Sequence, residues 1–190
     1  MVVTLTSKYY RLIALPEASF GLLGSAVAVV GLFVPRIARR MTERYTPGWN
    51  TVLLGLGSLA MLFALTLFVP YLGLLPMMAV FIGLMLTSFF TSHYLNGITA
   101  SHQRATVLSF KGLAFNAAYG FIGLVFAGLM RHFRQAPSPV PLDGTFVEDQ
   151  AFRATMGCFP WYLLLGLGLV SLLCLPRLVQ RRKRTGDSGE

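Results

Sequence analysis

From residue 45 to residue 103 the chain carries no Asp, Glu, Lys or Arg, a run of 59 residues. A water-soluble domain cannot leave so long a stretch uncharged, because soluble chains average about 25% charged residues. The whole chain of 190 residues is 55% hydrophobic and 12% charged. A membrane-spanning helix takes about 20 mostly apolar residues at roughly 1.5 Å rise each. The long run is too long for one span and fits two, with a break at Val69-Pro70-Tyr71. Residues 18–35, 112–130 and 154–176 are also free of those four residue types. The pattern predicts an all-α, polytopic membrane protein with five spans, at about 18–37, 51–68, 74–95, 108–130 and 159–178. Residues 1–17 precede the first span, and 181–190 form a basic tail.

The net charge of +9 does not point to nucleic acid. Its basic residues sit at the ends of the hydrophobic runs, where they set orientation, and no aromatic-basic patch lies outside the spans. One side carries Arg36, Arg39, Arg40, Arg44, Arg104, Lys111, Arg177, Arg181, Arg182, Lys183 and Arg184, eleven cations. The other carries Lys8, Arg11, Arg131, Arg134 and Arg153, five. Excess Lys and Arg mark the cytoplasmic side. The expectation is therefore a multi-pass protein of the cytoplasmic (inner) membrane, with its N-terminus outside and its C-terminus in the cytoplasm. Arg131 and Arg134 run against that rule. An outside N-terminus ahead of an odd number of spans leads us to expect a further preceding helix.

Cys158 and Cys174 lie 16 residues apart in one predicted helix, roughly 24 Å along its axis, too far to pair. Neither has metal-ligand spacing, and no cofactor motif is present. No nucleophile-base pattern or phosphate loop suggests an enzyme. Gly21, Gly24, Ala28 and Gly31 form a small-residue stripe on the first span, and Gly112, Asn116, Gly120 and Gly123 share a face of the fourth. Such faces let helices approach closely in lipid. The loop from Arg131 to Met156, with Pro137, Pro139 and Pro141, reads as polar and irregular.

Two stretches carry a family resemblance. GLFVPRIARR, residues 31–40, is similar to a loop motif of glycine, acid, base, glycine and two bases; Gly31, Arg36, Arg39 and Arg40 fit it. Pro35 stands where the acid is usual and Ala38 where the second glycine is usual. HQRATVLSFKGLAFNAAYGFIG is similar to the loop before the eleventh helix of the same family through Arg104, Ala105, Thr106 and Ser109. On these residues the chain resembles the C-terminal half of a major facilitator superfamily transporter, over nearly its whole length. The resemblance implies that the five spans are the last five of twelve helices. It implies a secondary transporter of a small solute working by alternating access, with a six-helix N-terminal half missing or separately encoded. The rival expectation is a non-transporting membrane fragment or scaffold that acts only with such a half.

Asn116 is the one amide in the middle of a span, and an unpaired amide in hydrocarbon costs several kcal/mol by order of magnitude. It and Tyr119, three residues on, are the substrate-cavity candidates, with helix-helix packing as the alternative role for Asn116. Gly31, Arg36, Arg39, Arg40 and Arg104 are the loop-motif candidates for gating. Equally, the arginines set orientation and meet lipid headgroups. His93 ends a polar stretch of the third span and is the proton-linked candidate, set against a solvated histidine at the membrane surface. No Asp or Glu lies inside a span, so a carboxylate proton carrier is not expected in this chain.

Overall fold

The computed structural model describes residues 5–135 and 144–186, with side chains described as far as residue 173. The side chains of Cys174 and of the basic tail lie outside those described. Among the described residues every regular element is helical: α1 (Thr6–Leu12), α2 (Phe20–Gly31), α3 (Val34–Arg44), α4 (Pro47–Thr66), α5 (Leu74–Ile98), α6 (Arg104–Arg134) and α7 (Gly144–Gly186). Five helical segments are long and apolar enough to cross a membrane: Glu17–Arg44, Pro47–Thr66, Leu74–Ile98, Ser101–Arg134 and Gly144–Leu173. Large apolar side chains such as Leu22, Leu56, Leu124 and Leu172 point outward on α2, α4, α6 and α7. In water such a surface would aggregate; in a bilayer it is the solvated surface. The chain is a multi-pass helical membrane protein.

The first span breaks where its sequence requires. Pro35 is the second residue of α3, and a proline ring clashes with the carbonyl four residues back, here that of Gly31. Leu32 and Phe33 absorb the turn between α2 and α3. Arg36, Arg39 and Arg40 therefore lie on a helix rather than in a loop, and the connection to α4 shrinks to Tyr45 and Thr46. The Thr46 hydroxyl accepts from the Trp49 amide, and Pro47 opens α4 without needing a backbone donor.

The link expected at Val69-Pro70-Tyr71 is present. Phe68 and Tyr71 take φ of 46° and 57°, left-handed conformations that bulky residues rarely adopt. They are held by neighbours, since the Tyr71 amide donates to the Ile13 carbonyl at 3.0 Å.

The stretch expected to be irregular between the last two spans is largely helical. α6 continues to Arg134, and α7 begins at Gly144, so the three prolines fall within residues 136–143, outside the described residues. The helix extends this far because its early residues are used. Phe152 and Met156 enter the core, Glu148 pairs with Arg134 at 3.0 Å, and Asp149 pairs with Lys8.

α4, α5, α6 and α7 touch in a ring, each meeting the next, and α2 and α3 pack on the outside of α5. Burial concentrates at the two ends of this bundle. At the end away from the α3 arginines, Tyr9, Tyr10 and Ile13 of the α1 segment plug the space between Leu65, Phe68, Met77, Phe152 and Met156. At the basic end, Val34 and Ala38 of α3 pack on Leu86 and Phe90 of α5. Between the two clusters the four helices line a half-open cavity of about 320 Å³.

Candidate functional site

The expected gating group sits along α2 and α3 against α5. Gly31 is a close-approach position: a side-chain carbon there would stand 3.3 Å from the Met85 thioether. Arg36 lies over the Phe33 ring, 5.9 Å from its centre. Arg39 pairs with Glu43, one turn on in its own helix, at 2.9 Å. Arg40 and Arg44 make no ion pair with any described residue. Arg104 begins α6 and donates through Nε to the Thr99 carbonyl at 3.3 Å, bracing the short connection from α5. His93 is exposed, stacked on Phe89 at 6.0 Å and edge-on to Tyr94 at 5.4 Å.

The substrate-cavity candidates lie elsewhere, on α6. Asn116 is exposed and its side-chain amide bonds to no described residue. Tyr119 is half exposed, 50% by area, on the same helix. α6 has no buried residue along its whole length. At Gly112, Gly120 and Gly123 an added side-chain carbon would meet nothing within 4 Å. The amide-and-glycine face is thus unfilled by the described residues. The candidates do not form one cluster: the loop-motif residues of α2 and α3 pack against α5, while Asn116 and Tyr119 stand on α6.

Lys111 reads in the sequence only as an orientation signal, yet it makes the main polar link between α5 and α6. Its ammonium donates to the Ser92 hydroxyl at 2.6 Å, the Ser88 carbonyl at 3.1 Å and the Ser88 hydroxyl at 3.3 Å. The Ser92 hydroxyl itself donates to the Ser88 carbonyl, and Thr87 and Thr91 likewise bond their own helix. The Ser92 hydroxyl thus spends its proton on the backbone and offers its lone pairs to the cation. The charge is therefore balanced by dipoles, with no carboxylate among its described partners. Lys111 lies about two helical turns after Arg104, the first residue of α6, so the link sits below the mouth of the bundle.

Asn50 is the other residue that sequence reasoning missed. It is completely buried, donating to the Tyr94 hydroxyl at 2.8 Å and to the Met41 carbonyl at 3.3 Å. Its placement beside Pro47-Gly48, which reads as a loop, hides the start of α4 at Pro47. Among the described residues no group of His, Cys, Asp and Glu is placed to hold a metal ion. No family model, curated protein or solved structure matches the chain.

Proposed function

We propose that this chain forms one side of a secondary transporter of the major facilitator type, moving a small solute by alternating access against a second helical bundle. The observation that carries the reading is the open face of α6. A membrane helix with an amide at its middle and glycines on either side is shaped for protein or water contact, because hydrocarbon cannot satisfy the amide. None of the described residues covers that face. The loop residues Gly31, Arg36, Arg39, Arg40 and Arg104 support the same assignment through their resemblance to the family's two cytoplasmic motifs. In this reading the basic end faces the cytoplasm, in the inner membrane, and Asn116 and Tyr119 line the pathway.

Thiol accessibility in native membranes tests it. With Cys158 and Cys174 replaced by alanine, N116C should react with a charged, membrane-impermeant methanethiosulfonate. L169C, on the outward face of α7, should react only with a lipid-soluble maleimide. If N116C behaves like L169C, the α6 face meets lipid and the transport reading fails. If N116C is protected from both reagents, the face is packed against a partner, and the chain acts as a paired membrane scaffold instead.

A further inference from the structure

We propose that the cavity inside the α4–α7 ring is a binding site for a small, uncharged amphiphile, an alkanol-like molecule with one hydroxyl and an apolar body. The inference goes beyond the transport reading and does not depend on it.

Four helices build the wall. Ser58 comes from α4, Gly83 and Thr87 from α5, Ile122 from α6, and Met156 and Phe159 from α7. No charged residue lines it. The space exists because Gly83 puts no side chain into it and the facing residue is a serine. A carbon added at Gly83 would stand 3.8 Å from the Ser58 hydroxyl. α5 and α6 are tied near the basic end through Lys111, and α6 meets α7 near the other end through the ring of Phe126 against those of Phe152 and Phe159. Leu84 and Ile122 are 51% and 40% exposed, so the cavity opens sideways between α5 and α6, toward whatever surrounds the bundle in the membrane.

The polar chemistry is sparse and specific. The Thr87 hydroxyl donates to the Gly83 carbonyl at 2.7 Å and has only lone pairs left to offer. The Ser58 hydroxyl bonds to no described residue, unlike those of Thr51 and Thr66 on the same helix, which bond backbone carbonyls. One free hydroxyl in an apolar chamber suits a guest with one hydrogen-bonding group. A water molecule needs two to four polar partners, and this chamber offers two at most, the Ser58 hydroxyl and the lone pairs of Thr87. Dry apolar cavities of about 150 Å³ take up apolar guests readily. A charged guest would lose its hydration without a counter-charge.

The test uses 3-azioctanol, a photoreactive eight-carbon alcohol, on the full chain in phospholipid vesicles, with labelled residues located by mass spectrometry. Labelling at Met156, Phe159 or Ile122 should saturate and be competed by 1-octanol, while labelling at the outward Leu165 and Leu169 should rise linearly. Gly83→Leu, which fills the chamber, should reduce the saturable labelling about tenfold or more, by steric exclusion. Should that variant fail to fold, Gly83→Ala adds a single carbon at ordinary contact distance and should reduce it about threefold. Ser58→Ala should weaken octanol competition about threefold, the worth of one modest hydrogen bond. Linear labelling at the cavity residues, or saturable labelling untouched by these substitutions, would overturn the site. So would octanol competition that appears only in phospholipid-free detergent, which would assign the chamber to a lipid acyl chain.

Discussion

The Asn50 amide donates to the Tyr94 hydroxyl at 2.8 Å, joining the start of α4 to the basic-end turn of α5 across 44 residues of sequence. Asn50 is fully buried, and its carbonyl oxygen has no partner among the described residues. Removing one member of such a pair strands the other, at about 1–3 kcal/mol, whereas replacing both with apolar groups of similar shape is close to neutral. Asn50→Leu and Tyr94→Phe should each lower stability in detergent by about that amount. The double variant should recover most of the loss, because the orphan carbonyl and the stranded hydroxyl disappear together. Unfolding midpoints of the four proteins check it; additive losses would mean that the bond is not coupled.

Sequence patterning anticipated five apolar segments, and the structure has five helical segments long and apolar enough to cross a membrane. It placed α5 at residues 74–95 against an observed end at Ile98, and it anticipated the break at Pro70. It erred where an element leaves the hydrocarbon but stays helical. The arginines of α3 and the acids at the start of α7 look like loop residues by polarity, yet each lies on a helix whose apolar face is buried by Val34 and Ala38, or by Phe152. The candidate sites were less legible. Asn116 stood out because it interrupts an apolar run, whereas Asn50 was masked by a Pro-Gly pair. Lys111 needed the third dimension, since its partners Ser88 and Ser92 read alone as self-bonded helix hydroxyls.

Gly73 is where the α1 plug meets the bundle. A side-chain carbon there would lie 2.8 Å from the Tyr9 hydroxyl, 2.9 Å from Ile13 Cγ2 and 3.1 Å from the Val69 carbonyl oxygen. The last of these is backbone in a tight turn and cannot swing aside. Gly73→Ala should destabilise the protein by about 1–3 kcal/mol through overpacking. It should also expose the 5–16 segment to protease. Tyr9→Phe removes only the 3.3 Å bond from the tyrosine hydroxyl to the Gly73 carbonyl, and should cost about 1 kcal/mol. Equal protection of the segment in wild type and Gly73→Ala would show that the plug does not rely on this contact.

The same tyrosine gives the plug a pH limit. Burial raises the Tyr9 hydroxyl from 10.0 to about 12, with the nearby Arg153 charge opposing the shift. Burial also raises Tyr10. A raised folded-state value means that the folded protein holds the proton more tightly than the unfolded chain. The contribution is fully present below pH 10 and is lost as pH rises toward 12. Absorbance titration near 295 nm should show a late-ionising tyrosine that Tyr9→Phe removes, together with falling stability over that window. Ionisation of every tyrosine in one step near pH 10 would contradict the buried plug.

Lys111 ties α5 to α6 with three hydrogen bonds and no opposing charge among its described partners. Lys111→Met keeps an aliphatic stem of similar length but removes the donors and the ammonium that lies 5.2 Å from the centre of the Phe115 ring. Hydrogen bonds to charged groups contribute about 1.5–3 kcal/mol when shielded, and partial exposure here reduces that to about 1 kcal/mol. Ser92→Ala deletes the shortest of the three and should account for less than half of the loss. The spatial effect is more diagnostic than the energetic one. Spin labels at residues 96 and 107, on the two helices flanking the connection, should give a broader distance distribution in Lys111→Met than in wild type. Lys111→Arg retains the charge and should keep it narrow. If charge alone sets the spacing, Lys111→Met broadens the distribution and Ser92→Ala leaves it unchanged. If the bonds to Ser88 and Ser92 set it, Ser92→Ala broadens the distribution in the same direction as Lys111→Met while leaving the charge in place.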